Sequence, residues 1–167
     1  MADWLGITSA NIHSKCGEEA DNTLADGLDG LDFWTHLTNE THWFILDLGA
    51  TYNITKVRGR SEAPDLDPID VNIYVSTDGV SWGTAVATGI TTWRDITSWV
   101  EIDTTDKEGR YVKVEIVDTE QVNNSIGMGA LPAITIFDVY GSSSGSGALK
   151  ALTSGLMGSC LLDGGLV

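Results

Sequence analysis

From Trp43 to Tyr140 the chain alternates apolar and polar positions with a period of two. Trp43, Ile45 and Asp47 fall on one side of an extended segment, and Phe44, Leu46 and Leu48 on the other. Ile69, Val71, Ile73 and Val75 oppose Asp70, Asn72, Tyr74 and Ser76. Val112, Val114 and Ile116 oppose Tyr111, Lys113, Glu115 and Val117, and Thr135, Phe137 and Val139 oppose Ile134, Ile136 and Asp138. This is the period of a half-buried strand, because successive Cβ atoms leave the pleat on opposite faces. The interruptions carry turn chemistry: Asp78-Gly79, Glu108-Gly109, and Pro64 with Pro68. No amphipathic helix of useful length is read before Gly141. Many short strands joined by turns predict an all-β sandwich of antiparallel strands.

The end of the chain has another character. Residues 142–147 are a Ser/Gly linker, flexible by composition. Beyond it, residues 148–167 form an apolar tail in which Leu149, Leu152, Leu156 and Cys160 recur at roughly helical spacing, broken by Gly155 and Gly158. An apolar tail behind a flexible hinge is expected to dock on protein neighbours in an assembly, since left exposed it would aggregate. The division read from sequence is therefore a lead (1–17), a sandwich (18–141), a linker (142–147) and an assembly tail (148–167).

Composition narrows the function. A chain of 167 residues with 42% apolar content is long enough for one well-buried domain plus extensions. Its formal net charge of -15 repels phosphate backbones and excludes nucleic acid as an expected partner. No stretch has the length and apolarity of a membrane span. Met1-Ala2-Asp3-Trp4 lacks a basic leader, so an extracellular or virion-surface location implies a removed signal or exit by another route, such as lysis. Cys16 and Cys160 lie near opposite ends, and sequence leaves open a disulfide or two thiols.

Four β-rich segments then recur in one order: Trp43-Phe44-Ile45-Leu46-Asp47-Leu48-Gly49, Tyr74-Val75-Ser76-Thr77-Asp78-Gly79-Val80-Ser81-Trp82, Arg110-Tyr111-Val112-Lys113-Val114, and Ile136-Phe137-Asp138-Val139-Tyr140-Gly141, with Asp26-Gly27 and Trp34 upstream. This set resembles the discoidin family, also called the coagulation factor V/VIII C-type domain, with its sugar-binding relatives. The resemblance implies a jelly-roll β-sandwich over about Glu18 to Gly141, with Trp34, Trp43 and Trp82 in its core. It also implies recognition rather than catalysis, and the chain is expected not to be an enzyme. Asp26, Asp29 and Asp32 in a Gly-broken loop, with a carbonyl such as that of Leu24, are the implied ligands of a structural Ca2+, a hard cation that takes several oxygens. Ile136 stands where the family usually places a Glu near the closing strand.

The expected partner is a cell-surface glycan. A sugar site needs an aromatic face for the apolar side of the ring and fixed polar groups for its hydroxyls. His36, Arg60, Glu62, Trp93 and Arg94 are the candidate binding face, read from loops expected at one end of the sandwich. The alternative for Trp93 is a lid over the core. A zinc set of His13, Cys16, His36 and His42 offers one close pair in sequence and no second, which is poor spacing for a zinc motif. No nucleophile elbow, phosphate loop or paired metal motif is present. Two functions follow: a glycan-recognition module carried on a larger assembly through its tail, or a purely structural decoration protein of a virion or similar assembly. An exposed Trp93 beside Arg60 favours the first, and a buried Trp93 the second.

Overall fold

The computed structural model describes residues 1–18, 20, 22–32, 34–36, 41–61, 67–94, 96–119 and 136–144. Seven strands are present among them: β1 (Asp3–Trp4), β2 (Ile12–Lys15), β3 (His42–Ser61), β4 (Pro68–Ser76), β5 (Ala87–Ile90), β6 (Ile96–Thr119) and β7 (Ile136–Ser143). A five-residue helix, α1 (Leu24–Leu28), and a 3-10 turn at Ser9–Asn11 precede β3. Pairing is antiparallel throughout, in the order β1-β7-β3-β6-β4-β5, with β2 on β3.

Two of these strands serve both layers of a sandwich. The first half of β3 (42–47) pairs with β6 at 111–116 and with β2, and that part of β6 carries β4. The second half of β3 pairs with the first half of β6 and with β7. The register slips between Asp47 and Tyr52, where Gly49 sits at φ 76°, a left-handed conformation that glycine adopts without steric cost. There β3 doubles back. Gly59 is the register partner of Phe137, whose ring meets that of Phe44 at 6.0 Å, so residues 44 and 59 of one strand face each other across the core.

The predicted alternation holds where it is described. Phe44, Leu46, Val71, Ile73, Val75, Val112, Val114, Ile116, Phe137 and Val139 are all buried. Fully burying one such side chain contributes about 1.5–3 kcal/mol. Trp34 is in the core as expected, but Trp43 and Trp82 are only half-buried. Trp43 lies on the outward side of β3, where the Lys113 ammonium approaches its ring. The fully buried indoles are Trp34 and Trp93.

Residues 1–17, set apart by sequence as a lead, supply β1 and β2. Asp138 holds them: Oδ1 accepts from the amides of Gly6 (3.0 Å) and Ile7 (3.2 Å). Glu108-Gly109, expected as a turn, lies inside β6, where Gly109 packs against Val75 and the Ser76 backbone. The Ser/Gly linker begins inside a strand, since β7 runs to Ser143. The tail and Cys160 lie outside the described residues.

Candidate functional site at one end of the sandwich

Strand register gathers the chain connections at one end. His42 pairs with Ile116, Pro68 with Thr119, Ser61 with Ile96, and Arg60 with Ile136. The strand ends at Lys15, Ser61, Ile96 and Thr119 therefore all lie at this end. Beneath them runs a row of edge-to-face rings: Trp34 to Phe44 at 5.7 Å, Phe44 to Phe137, and Phe137 to Trp93 at 5.8 Å. Edge-to-face packing sets the positive ring edge on a negative face, so the row is stiff as well as apolar.

Trp93 closes this row and is 1% exposed. Its Nε1 donates to the Val100 carbonyl at 3.0 Å, and its ring covers Gly59. It is a lid over the core and offers no face to a ligand. Of the other candidates, Arg94 is exposed, and Glu62 lies outside the described residues. Arg60 is on the outer face of its layer, where Nη1 donates to the Thr97 carbonyl at 2.6 Å.

The exposed aromatic next to Arg60 is Trp99, which sequence reasoning missed. It is 36% exposed, with the Arg60 guanidinium 5.9 Å from its ring centroid. Arg58 lies between Trp99 and Trp4, at 4.2 Å and 4.0 Å from their ring centroids, and donates to Asp138 Oδ2 at 2.8 Å. Arg–indole stacking of this kind fixes both partners. A signal for it was available: Trp99, Glu101 and Asp103 alternate with Val100 and Ile102, which marks the Trp99 side as outward.

His36 is not part of this face. It sits with Cys16 and His42, beyond Trp34 in the aromatic row: Cys16 Sγ lies 3.4 Å from His36 Nδ1 and 3.9 Å from His42 Nδ1. The His42 ring meets Trp34 at 6.4 Å and His36 at 5.3 Å. His13 points elsewhere, onto Tyr111.

The three carboxylates read as calcium ligands do not meet. Asp26 is the third residue of α1, and its Oδ2 accepts from Thr23 Oγ1 (2.6 Å) and the Thr23 amide (3.3 Å), a capping box. Asp29 accepts from Ser9 through both oxygens, amide and hydroxyl, and these bonds hold its carboxyl below the usual range. Asp32 is exposed. Asp26 and Asp29 thus serve Thr23 and Ser9, and calcium binding by the trio would share their oxygens with those bonds.

The strand order and the two layers that β3 and β6 share are those of an antiparallel jelly roll. Residues 8–130 match the F5/8 type C domain, and the chain belongs to that family. Among solved structures it is similar to the C-terminal domain of a chitobiase from Bacteroides fragilis (TM-score 0.65, 22% identity, 84% of this chain and 99% of that one). It is also similar to the family 32 carbohydrate-binding module of NanJ from C. perfringens, solved with galactose (TM-score 0.64, 15% identity, 84% and 99%). A third is the module of AlyQ, solved with 4,5-unsaturated mannuronic acid (TM-score 0.60, 15% identity, 75% and 91%). No curated protein matches the chain by sequence.

Proposed function

We propose that this chain is a non-catalytic glycan-recognition module whose binding face lies at the connection end, around Arg60 and Trp99. The observation that carries the reading is the exposed Trp99 ring beside Arg60, on a fold whose solved neighbours include modules in complex with galactose and with an unsaturated mannuronic acid. An indole supplies the apolar platform and a guanidinium the fixed donors that hydroxyls need. With a net charge of -15, neutral sugars are favoured over uronic acids. Display in several copies would raise avidity without new contacts. The linker and apolar tail support attachment to a larger assembly, extracellular or on a virion, through residues 148–167. Among the described residues no helix is long and apolar enough to cross a membrane. Calorimetric titration with galactose and with the unsaturated mannuronate, on the full chain and on Trp99→Ala, tests the reading. Galactose binding lost in the variant supports it, and heats indistinguishable from dilution for both sugars count against it.

The buried Trp93 favours a second reading, a structural decoration protein whose loops touch protein neighbours. In that case Trp99 and Arg60 face a protein surface and no sugar titrates.

A further inference from the structure

The chain also holds a cluster that glycan recognition does not use. Cys16, His36 and His42 each bring one ligand atom to a common point, all within 4.8 Å of one another, and they form the only such His/Cys/Asp/Glu group among the described residues. We propose that these three residues bind a divalent transition metal, zinc by the chemistry of the donors, at the edge of the connection end.

The distances fit a tetrahedral ion. Zn–S near 2.3 Å and Zn–N near 2.0–2.1 Å at a tetrahedral angle put sulfur about 3.6 Å from nitrogen. The observed S···N separations are 3.4 and 3.9 Å. One thiolate and two imidazoles are a borderline-soft set that zinc accepts and that calcium and magnesium, which want oxygen, do not. Three protein ligands leave a fourth position for water. On binding, the thiol proton goes to solvent and both imidazoles bind as neutral rings.

The surroundings hold the ligands in place. The Cys16 amide donates to the Trp43 carbonyl at 3.0 Å, and the Trp43 amide donates to Cys16 Sγ at 3.4 Å, so the sulfur is fixed at the end of β2 beside an N–H dipole that favours negative charge. The His36 ring lies directly on the backbone of Gly17, in space that any Cβ there would occupy. Trp34 packs edge-on against His42, while its Nε1 donates to the Gly17 carbonyl at 2.9 Å. A single indole thus braces one ligand and the residue under another, the kind of outer support that fixes metal ligands. The ion would clamp the end of β2 to the start of β3 and to His36 between them. This clamp gives Gly17 and His42, one small and one buried, a common reason to be there.

The test uses the full chain, reduced and freed of metal, in excess magnesium to occupy surface carboxylates. Zinc is titrated by calorimetry, and Co2+ is added separately as a spectroscopic probe. The expected results are one zinc per chain, a higher melting temperature, and a thiolate-to-cobalt charge-transfer band. Cys16→Ser and His36→Ala should weaken zinc by more than the roughly 10–100-fold that loss of an outer-shell partner costs. His13→Ala and Cys160→Ser should bind as the parent does. His42 is buried, so His42→Ala is read only alongside a circular-dichroism check of folding, and Cys16→Ser and His36→Ala, at the two half-buried ligands, carry the conclusion. Zinc binding unchanged by Cys16→Ser, no charge-transfer band, or a Cys16–Cys160 disulfide that persists in the native protein would each overturn the proposal.

Discussion

Trp93 lies flat over Gly59, with three ring atoms 2.9 to 3.1 Å from where a Cβ on that glycine would stand. The contact joins the last ring of the aromatic row to the strand that leads into Arg60, so this glycine sets how the lid closes. Gly59→Ala should push the indole off its site and strain its bond to Val100. Overpacking of this kind costs about 1–3 kcal/mol, read as a lower denaturant midpoint at unchanged slope. Fluorescence of the displaced indole should shift to the red.

Asp138 is the hinge pin of the N-terminal segment. Its carboxylate is 5% exposed, pairs with Arg58, and accepts the Gly6 and Ile7 amides. Asp138→Ala takes the carboxylate from a half-buried guanidinium and from three amides, those of Gly6, Ile7 and Val139. Breaking a buried pair from one side costs about 3–5 kcal/mol. Hydrogen exchange should show residues 3–7 losing protection first, ahead of β4 and β6.

Asp47 and Arg110 form a two-point ion pair, Nε to Oδ1 and Nη2 to Oδ2, each at 2.7 Å. The Arg110 hydrogen bonds hold the Asp47 carboxyl below its ordinary value. A carboxyl depressed on folding stabilises the fold fully above its unfolded pKa, about 3.9, and that contribution is lost as pH falls toward the folded value. Stability should therefore decline on acidification below about pH 4, and Asp47→Asn should flatten that limb. Because both partners are partly exposed, the loss at neutral pH should be only about 1 kcal/mol. A melting-temperature series across pH on both proteins checks it.

Thr23 and Asp26 cap α1 reciprocally, so Thr23→Ala should cost about 1 kcal/mol. Millimolar calcium should leave the melting temperature of the parent unchanged, because Asp26 and Asp29 are held by Thr23 and Ser9. A calcium-dependent rise abolished by Asp29→Asn would mean that the turn rearranges to bind the ion.

The strands were legible because burial writes a period of two into the sequence, and the family was legible because four such segments keep their order. The side chains at the connection end were less so. Trp93 and Trp99 are both indoles next to polar residues, and only the register of β6, which turns Trp99 outward with Glu101 and Asp103, separates the exposed indole from the buried one. The Asp26 loop reads as a cation loop, yet Thr23-Leu24-Ala25-Asp26 also spells a capping box, and in the structure the Asp26 carboxylate accepts from the Thr23 amide and hydroxyl. Cys16, His36 and His42 have no motif spacing at all. They meet because β2 pairs with β3 and draws Cys16 beside Trp43, a long-range event that local pattern does not record.

The most direct test of the central claim is a glycan-array screen of the full chain against Arg60→Ala and Trp99→Ala, with a conservative Trp93→Phe variant to report on the lid alone. The predicted result is binding to one class of neutral sugar, lost in both Arg60→Ala and Trp99→Ala and kept in Trp93→Phe. Binding that survives both losses would place the site elsewhere, and no binding to any sugar by a folded protein would contradict glycan recognition itself.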